Sequence, residues 1–252
     1  MCATRILPAG TGLRRRSLQA ASRSKPAVEG GAVPELRLYY DALYRAYGPQ
    51  HWWPGRTRFE VIVGAILTQS TSWSNVEQAL RALRREKLLS PGALERISTP
   101  RLAGLIRSSG YFQQKADKLK AFVHFLRKEY GGSLDKLFAV PTRELREQLM
   151  SVRGIGPETA DSILLYAGKH AVFVVDAYTR RILERHQLAD GKQSYEQIQE
   201  LFEQNLAASV AMFNEYHALI VHTGKHFCRK SGARCEECAL RPFLPRSEEV
   251  RG

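Results

Sequence analysis

The chain has 252 residues, and a composition of 44% hydrophobic and 25% charged residues is ordinary for a globular protein with a real core. A net charge of +13 at pH 7 favours a polyanionic partner. No apolar run approaches the ~20 residues that a bilayer-spanning helix needs, so we expect no membrane partner.

The first 34 residues are predicted to be a basic leader outside the fold. Residues 1–28 hold six Arg or Lys residues and no acidic residue, and residues 29–34 resemble a linker. The segment lacks the apolar centre of a secretory signal. A disordered tail, a start codon placed too early and an organellar transit peptide are the readings left open, and we expect the disordered tail.

From Glu35 onward, apolar side chains recur at α-helical spacing, and no credible alternating strand appears. We therefore predict an all-α fold of many short helices separated by Gly and Pro turns. The run from Phe59 to Leu67 is nearly all apolar, so this helix should be central. The predicted helices cover about 35–47, 59–67, 74–86, 91–97, 100–106, 111–130, 133–138, 142–152, 158–168, 178–186, 194–205 and 211–222.

Residues 142–168 are predicted to form a helix, a tight Gly-Ile-Gly turn and a second helix. Gly154 and Gly156 can take backbone angles closed to other residues. Pro157 suits the first position of the second helix, with Gly156 as its cap. The free amides and positive dipole end of that helix would bind an anion such as a phosphate. An ordinary turn between packed helices is the alternative reading of this pattern.

A lone acid, Asp176, follows the apolar run that ends at Val175. If the hairpin binds a phosphate, the carboxylate of Asp176 would lie beside the molecule that carries this phosphate. The alternative is that Asp176 caps the next helix, because Asp-Ala-Tyr-Thr is a fair helix start. The two roles are compatible.

Five motifs occur in one order: Leu-Thr-Gln at 67–69, Gly-Tyr-Phe-Gln-Gln-Lys-Ala at 110–116, the hairpin, Val-Val-Asp at 174–176 and three C-terminal cysteines. Together they resemble the helix-hairpin-helix DNA glycosylases of the endonuclease III superfamily, over about residues 35–243. The resemblance implies two helical domains with double-stranded DNA across the cleft between them. It places a central six-helix domain at 58–172, a second domain at 35–57 plus 173–243, and a tail at 244–252.

By this resemblance Asp176 is the catalytic carboxylate of a DNA glycosylase. A fixed anion stabilises the positive charge that builds on the sugar as the base leaves, and it can orient or deprotonate water. Endonuclease III itself carries a lysine two residues after the second hairpin glycine, where this chain has Glu158. Since a carboxylate cannot form the imine of the lyase reaction, we expect a monofunctional enzyme. Glu158 should be solvated on the first turn of its helix.

The 3-methyladenine glycosylase branch of the superfamily is the closer resemblance. In that branch aromatic walls sandwich an alkylated base; Trp52 and Trp73 match the wall positions, and Trp53 and Pro54 adjoin them. An indole face attracts a cationic alkylated purine by ~1–2 kcal/mol when dry. Lys225 matches a lysine that is carbamylated beside the pocket in that branch. The alternatives are core or interface aromatics, and a lysine that is merely solvated or near phosphate.

Two residues resemble the wedges that replace a flipped nucleotide in the base stack. Gln69 matches the first wedge and Tyr111 the second. Flipping costs a few kcal/mol, so something must replace the lost stacking. The alternative for Gln69 is a polar helix end. The other expected DNA contacts are Arg153, Gly154, Gly156, Thr159 and Arg180.

The C-terminal cysteines resemble the iron–sulfur loop of the superfamily, which runs Cys-x6-Cys-x2-Cys-x5-Cys. Cys228, Cys235 and Cys238 fit the first three positions, but the fourth is Leu244. A four-iron cluster normally takes four thiolates. The open readings are a labile or three-iron cluster, an exogenous fourth ligand, a relic loop, and Zn2+ completed by His222 or His226.

The sequence thus predicts a base-excision-repair glycosylase that hydrolyses the N-glycosidic bond of damaged bases, alkylated purines foremost, after flipping the nucleotide. The alternatives are an endonuclease III-type glycosylase and lyase for oxidised pyrimidines, and a non-catalytic DNA-damage-binding protein. We expect a monomer associated with the nucleoid. The cysteines do not form a secreted disulfide framework, so a reducing cytoplasm is expected.

Overall fold

The computed structural model describes residues 34–53 and 55–245. Residues 1–33 of the predicted leader, Pro54 of the predicted pocket and residues 246–252 of the predicted tail lie outside the described residues. The described part is all-helical, as predicted. Its α-helices are α1 (Pro34–Tyr47), α2 (Arg58–Leu67), α3 (Trp73–Arg85), α4 (Pro91–Arg96), α5 (Thr99–Leu105), α6 (Phe112–Tyr130), α7 (Leu134–Phe138), α8 (Thr142–Ser151), α9 (Pro157–Ser162), α10 (Ala177–Arg185), α11 (Tyr195–Asn205) and α12 (Val210–His226).

Helix α2 lies in the centre of the core, as its apolar run predicts. Every residue from Phe59 to Leu67 is buried. Thr57 starts the helix by accepting a hydrogen bond from the Glu60 N–H at 3.1 Å. Glu60 is the one acid in this helix, and its buried carboxylate pairs with Arg84 of α3. Helix α2 packs against α3, α6 and α9, so its C-terminal end lies beside the hairpin.

Helices α8 and α9 form the predicted helix-hairpin-helix motif. Gly156 is the N-cap of α9 and Pro157 its first residue, as predicted. The second helix reaches Gly168, but its last segment, Ile163–Gly168, is a π-helix. Such segments often mark functional sites, because the wider turn shifts the side chains that follow it. Tyr166 of this π-helix is buried, with 3% of its surface exposed.

The C-terminal helices surround the segment that leads to Asp176. Residues 172–175 connect the π-helix to α10 along the chain. They have no regular secondary structure, and all four are buried. Helix α12 packs against α1 and α10, and the hydroxyl of Tyr216 donates to Leu36 O at 2.8 Å. It extends about one turn beyond the predicted 211–222 and therefore reaches the cysteine loop.

The described helices include none with the length and apolar character needed to cross a bilayer. The division into domains at 58–172 and at 35–57 plus 173–243 stays a prediction.

Candidate active site

A cavity of about 650 Å³ collects most of the predicted site residues. It opens beside the hairpin, and the loop before α2, the end of α2, and α3, α9, α10 and α12 all contribute to its walls. The predicted residues that line it are Trp52, Trp53, Gln69, Trp73, Gly156, Thr159, Asp176, Arg180 and Lys225.

Asp176 combines the two roles that its sequence context suggests. As N-cap of α10, its Oδ1 accepts the Thr179 N–H at 2.7 Å and the Thr179 hydroxyl at 2.9 Å. Its Oδ2 lies 3.6 Å from His217 Nε2, and 12% of the side chain is exposed. Burial by itself raises the pKa of Asp176, but His217 and the Thr179 hydrogen bonds outweigh it and hold the pKa below its usual value. The carboxylate is therefore ionised at neutral pH.

Helix α11 fixes the segment before Asp176. Tyr195 accepts the Val175 N–H at 3.2 Å, and Gln199 donates to Phe173 O at 2.7 Å. Gln199 also donates to Asp161 of α9 at 2.9 Å. Tyr195 and Gln199 are four residues apart and so lie on one face of α11. This polar face joins the second helix of the hairpin to the residues that carry Asp176.

His217 and Tyr166 belong to the site, although no sequence motif indicates them. His217 lines the cavity, and its Nδ1 lies 2.5 Å from the Tyr166 hydroxyl. In the sequence, His217 is a histidine on the apolar face of a helix. Such a histidine is more often a core residue whose hydrogen bonds are already made than a functional one. Tyr166 gave no signal, because its placement depends on the π-helix.

Glu158 faces the cavity at the position where endonuclease III carries its lysine. The side chain is exposed, as predicted, but its exposed surface lies in the cavity wall. Burial within the walls raises the pKa of Glu158, and the negative charge of Asp176 raises it further, although His217 and Arg180 oppose both effects. The cavity therefore contains two carboxyl groups whose pKa values shift in opposite directions.

Three tryptophans form one aromatic wall. The ring centroids of Trp52 and Trp73 are 5.9 Å apart, and Trp53 lies 5.1 Å from each. Trp53 also contacts the Tyr166 ring, at 5.0 Å between centroids. Gly64 of α2 makes room for this wall, because a Cβ at that position would come within 3.3 Å of the Trp53 ring. All three indoles are partly exposed.

The two hairpin glycines have different backbone requirements, which corrects the prediction made for them. Gly154 has φ +87°, and a Cβ there would lie 2.5 Å from Lys118 Cγ. Gly156 has an extended backbone with φ −94°, which any residue can adopt. No atom lies within 4 Å of the Cβ it would carry, so its surroundings leave space for a ligand.

Comparison with known proteins identifies the family. Residues 63–208, more than half of the chain, match the model of the "HhH-GPD superfamily base excision DNA repair protein". The chain belongs to this superfamily. It is accordingly a base-excision DNA glycosylase, as its sequence predicts.

Individual relatives support the same assignment. A protein of Methanocaldococcus jannaschii named "Putative DNA repair glycosylase" is 45% identical over 81% of this chain and 93% of its own length. The H. pylori 3-methyladenine DNA glycosylase bound to 1,N6-ethenoadenine has a similar structure, with TM-score 0.63, 28% identity, and 76% and 94% of the two chains covered. A non-covalent endonuclease III–DNA complex shares the fold, with TM-score 0.73, 20% identity, and coverages of 86% and 97%.

Within this glycosylase, Gln69 is held by the hairpin. Its Nε2 donates to Gly154 O at 3.0 Å and to the Thr159 hydroxyl at 2.9 Å, and its Oε1 accepts from Lys118 at 2.5 Å. The Gln69 side chain is therefore anchored to the hairpin and to α6. Tyr111, at the N-cap of α6, is 67% exposed and outside the cavity. Both wedge roles stay predictions.

Two predicted phosphate contacts differ in what they already bind. Arg153 is exposed on the hairpin, outside the cavity wall. Arg180 lines the cavity and donates to Gln193 O at 2.9 Å, so part of its hydrogen-bonding capacity serves the loop before α11. Both roles stay predictions.

The cysteine loop of this glycosylase does not supply the four thiolates of a four-iron cluster. Cys228, Cys235 and Cys238 line one small cavity, and Leu244 lies in the same wall at the fourth position. Arg185 donates to Cys228 Sγ at 3.2 Å. Across the described residues, no group of three or more His, Cys, Asp or Glu side chains is arranged to hold a metal ion. The predicted iron–sulfur cluster and the alternative zinc site are therefore not confirmed.

Proposed function

We propose that this glycosylase removes alkylated purines from double-stranded DNA, acting as a monomer and without lyase activity. Its substrate would be a nucleotide flipped out of the duplex, with its base against the tryptophan wall and its sugar beside Asp176. The observation that carries the proposal is the presence of this wall, an ionised carboxylate and Glu158 in one cavity.

The reaction would use the free oxygen of Asp176. As the glycosidic bond breaks, positive charge builds on the sugar, and a carboxylate in a desolvated cavity stabilises this charge far better than it would in water. Oδ1 is engaged by Thr179, which fixes the orientation of the carboxylate and leaves Oδ2 for the sugar or for the attacking water. Water would be the nucleophile.

The preference for alkylated purines follows from the aromatic wall. N-alkylated purines carry positive charge, and indole faces attract cations through their negative π-surface. Three indoles meet here within 5.9 Å of one another. The H. pylori relative, a 3-methyladenine glycosylase, binds 1,N6-ethenoadenine, which supports a purine adduct as the ligand.

The absence of lyase activity follows from Glu158. A lyase forms an imine between an amine and the sugar, and a carboxylate cannot take part in that step. Glu158 lies in the cavity wall beside Asp176, at the place where the amine would be needed.

The test is to incubate the purified protein with methylated duplex DNA and to separate the released bases. We expect free 3-methyladenine, DNA strands that break only after later alkali treatment, and no product trapped by borohydride. Strand nicking together with trapping would overturn the monofunctional assignment, and release of oxidised pyrimidines alone would overturn the substrate class.

The variant Asp176→Asn distinguishes an enzyme from a damage-binding protein. We expect it to lose base release by at least about a hundredfold while it still binds lesion DNA, because the amide keeps the cap acceptor but lacks the charge. Asp117→Asn is the matched control, since Asp117 is an exposed acid on α6. Equal excision by wild type and Asp176→Asn would contradict the role of Asp176.

A further inference from the structure

Two buried residues, Tyr166 and His217, stand behind Asp176. Tyr166 is 3% exposed and His217 is 5% exposed. Their side chains meet at 2.5 Å, between the Tyr166 hydroxyl and His217 Nδ1. On the other side of the imidazole, His217 Nε2 has no hydrogen-bond partner, and Asp176 Oδ2 faces it at 3.6 Å.

The two contacts of His217, with Asp176 and with Tyr166, together indicate which nitrogen of a neutral imidazole carries the hydrogen. Burial raises the pKa of Tyr166 far above its usual value, and Asp176 raises it further, so the phenol keeps its proton. The ionised Asp176 can only accept, so the nitrogen that faces it, Nε2, carries the hydrogen of a neutral imidazole; Nδ1 then accepts, and the protonated phenol of Tyr166 is its donor. That hydrogen then faces Asp176. A gap of 3.6 Å is long for a direct bond, but such contacts tighten when substrate binds.

We propose that Tyr166 and His217 are positioning residues that keep the free oxygen of Asp176 ionised and directed at the sugar of the flipped nucleotide. Tyr166 helps to fix the imidazole tautomer, and His217 supplies an Nε2–H donor to Asp176. The inference rests on the proposed role of Asp176 in excision.

Other charged groups face Asp176 from the neighbouring helices. Glu158 of α9 places negative charge near it and so favours its protonated form. Arg180 of α10 and Lys225 of α12 line the same cavity and carry positive charge. Of the groups around Asp176, His217 and Thr179 are those that lower its pKa most. Thr179 contacts Oδ1 alone, which leaves His217 as the principal partner of Oδ2.

The first test uses the free protein and does not depend on activity. Nitrogen-15 NMR of the histidine rings should show His217 as the Nε2–H tautomer at neutral pH, and Tyr166→Phe should lose that preference. Carbon-13 NMR of the aspartate carboxyls should show the pKa of Asp176 rising by roughly one unit in His217→Leu. An Nδ1–H tautomer in the wild type would overturn the inference.

The second test is the pH profile of single-turnover excision. In His217→Leu the acid limb should move upward by about one pH unit, so that the rate on that limb falls about tenfold. In His217→Gln the acid limb should stay below that of His217→Leu, because the amide still donates from nearly the same place. His124→Leu, at an exposed position of α6, is the control and should leave the profile unchanged.

The outcomes separate this inference from the proposed function. If the wild type releases no alkylated base while the NMR shifts occur as expected, the proposed substrate fails and the positioning of Asp176 stands. If the wild type excises alkylated purines and His217→Leu keeps both the acid limb and the pKa of Asp176, the positioning role is refuted. An acid limb in His217→Gln as high as in His217→Leu would also refute it, because a donor facing Oδ2 would then have no effect on Asp176.

Discussion

Gly154 and Gly156 are two residues apart, yet they are glycines for different reasons. At Gly154 the reason is internal, because φ is +87° and Lys118 leaves no space for a side chain. At Gly156 the backbone is extended and the surroundings are open, so neither strain nor crowding requires a glycine, and we expect the requirement to come from DNA at the hairpin. The Gly-x-Gly spacing could not distinguish these two requirements, since both are met by the same residue type.

This difference predicts that alanine at Gly154 affects stability, whereas alanine at Gly156 affects DNA binding. Gly154→Ala should lower the free energy of unfolding by about 1–2 kcal/mol, because alanine is strained at positive φ. Gly156→Ala should leave stability unchanged but weaken DNA binding about tenfold, since a methyl group keeps the phosphate away from the hairpin amides. Denaturant unfolding and fluorescence anisotropy measure the two effects, and each variant is the control for the other. Equal losses of stability would contradict the assignment.

For Asp176, the sequence predicts the local contacts of the side chain but not its contacts with distant residues. Its position after an apolar run and before Ala-Tyr-Thr predicts a helix cap, and the capping box with Thr179 is present. Nothing in that pattern indicates His217, which lies 41 residues later on α12 and is brought to Asp176 only by packing. Contacts between distant residues of this kind follow from the fold and not from local spacing.

At the scale of elements, the helices were predictable because their apolar faces recur regularly, whereas the polar inner face of α11 was not. Tyr195 and Gln199 look like ordinary members of an amphipathic helix, yet they bind the backbone at 173–175. The π-helix at Ile163–Gly168 was also missed, because a single wider turn leaves no mark in the periodicity.

Lys115 of α6 joins two elements that lead into the predicted DNA-contacting segments. Its Nζ donates to Leu67 O at 2.9 Å, at the end of α2, and to Ser109 O at 2.5 Å, just before the turn to Tyr111. The side chain is buried, so both carbonyls depend on it. Lys115→Met should lower the free energy of unfolding by about 2–4 kcal/mol, because two buried acceptors lose their donor.

The pH dependence of this contact has a defined sign. Burial lowers the pKa of Lys115 from 10.5 to about 8, and Lys118 adds to the effect. Between pH 8 and 10.5 the unfolded chain binds a proton there that the folded chain does not, so this group's contribution to stability rises with pH. The difference in unfolding free energy between wild type and Lys115→Met should therefore widen across this range. A constant difference would show that Lys115 stays charged in the fold.

For the whole molecule, the resemblance to a known superfamily predicted more than the composition did. A net charge of +13 indicates a polyanionic partner, but it does not indicate which reaction the protein catalyses. The order of short motifs indicated the family, and the match over residues 63–208 bears it out. The cysteine loop was the exception, because three of its four positions follow the pattern and Leu244 does not.

The substitution Leu244→Cys tests whether Leu244 keeps this loop from holding an iron–sulfur cluster. The three thiols and Leu244 line one cavity, so a fourth thiol at 244 would join them. After anaerobic reconstitution with iron and sulfide, we expect the variant to gain visible charge-transfer absorption and about four irons per chain. The wild type should gain neither, because Leu244 offers no ligand atom.

The control for this variant is Ala233→Cys, which gives the C-terminal loop a fourth cysteine at an exposed position out of register with the other three of the loop. It should behave like the wild type, since cluster assembly depends on the geometry of the ligands and not on their number. If the wild type itself binds stoichiometric iron, then three thiolates and a ligand from outside this loop suffice, and the leucine is no barrier. If only Leu244→Cys does so, the loop of this glycosylase keeps its fold through Arg185 and the apolar wall instead of a metal.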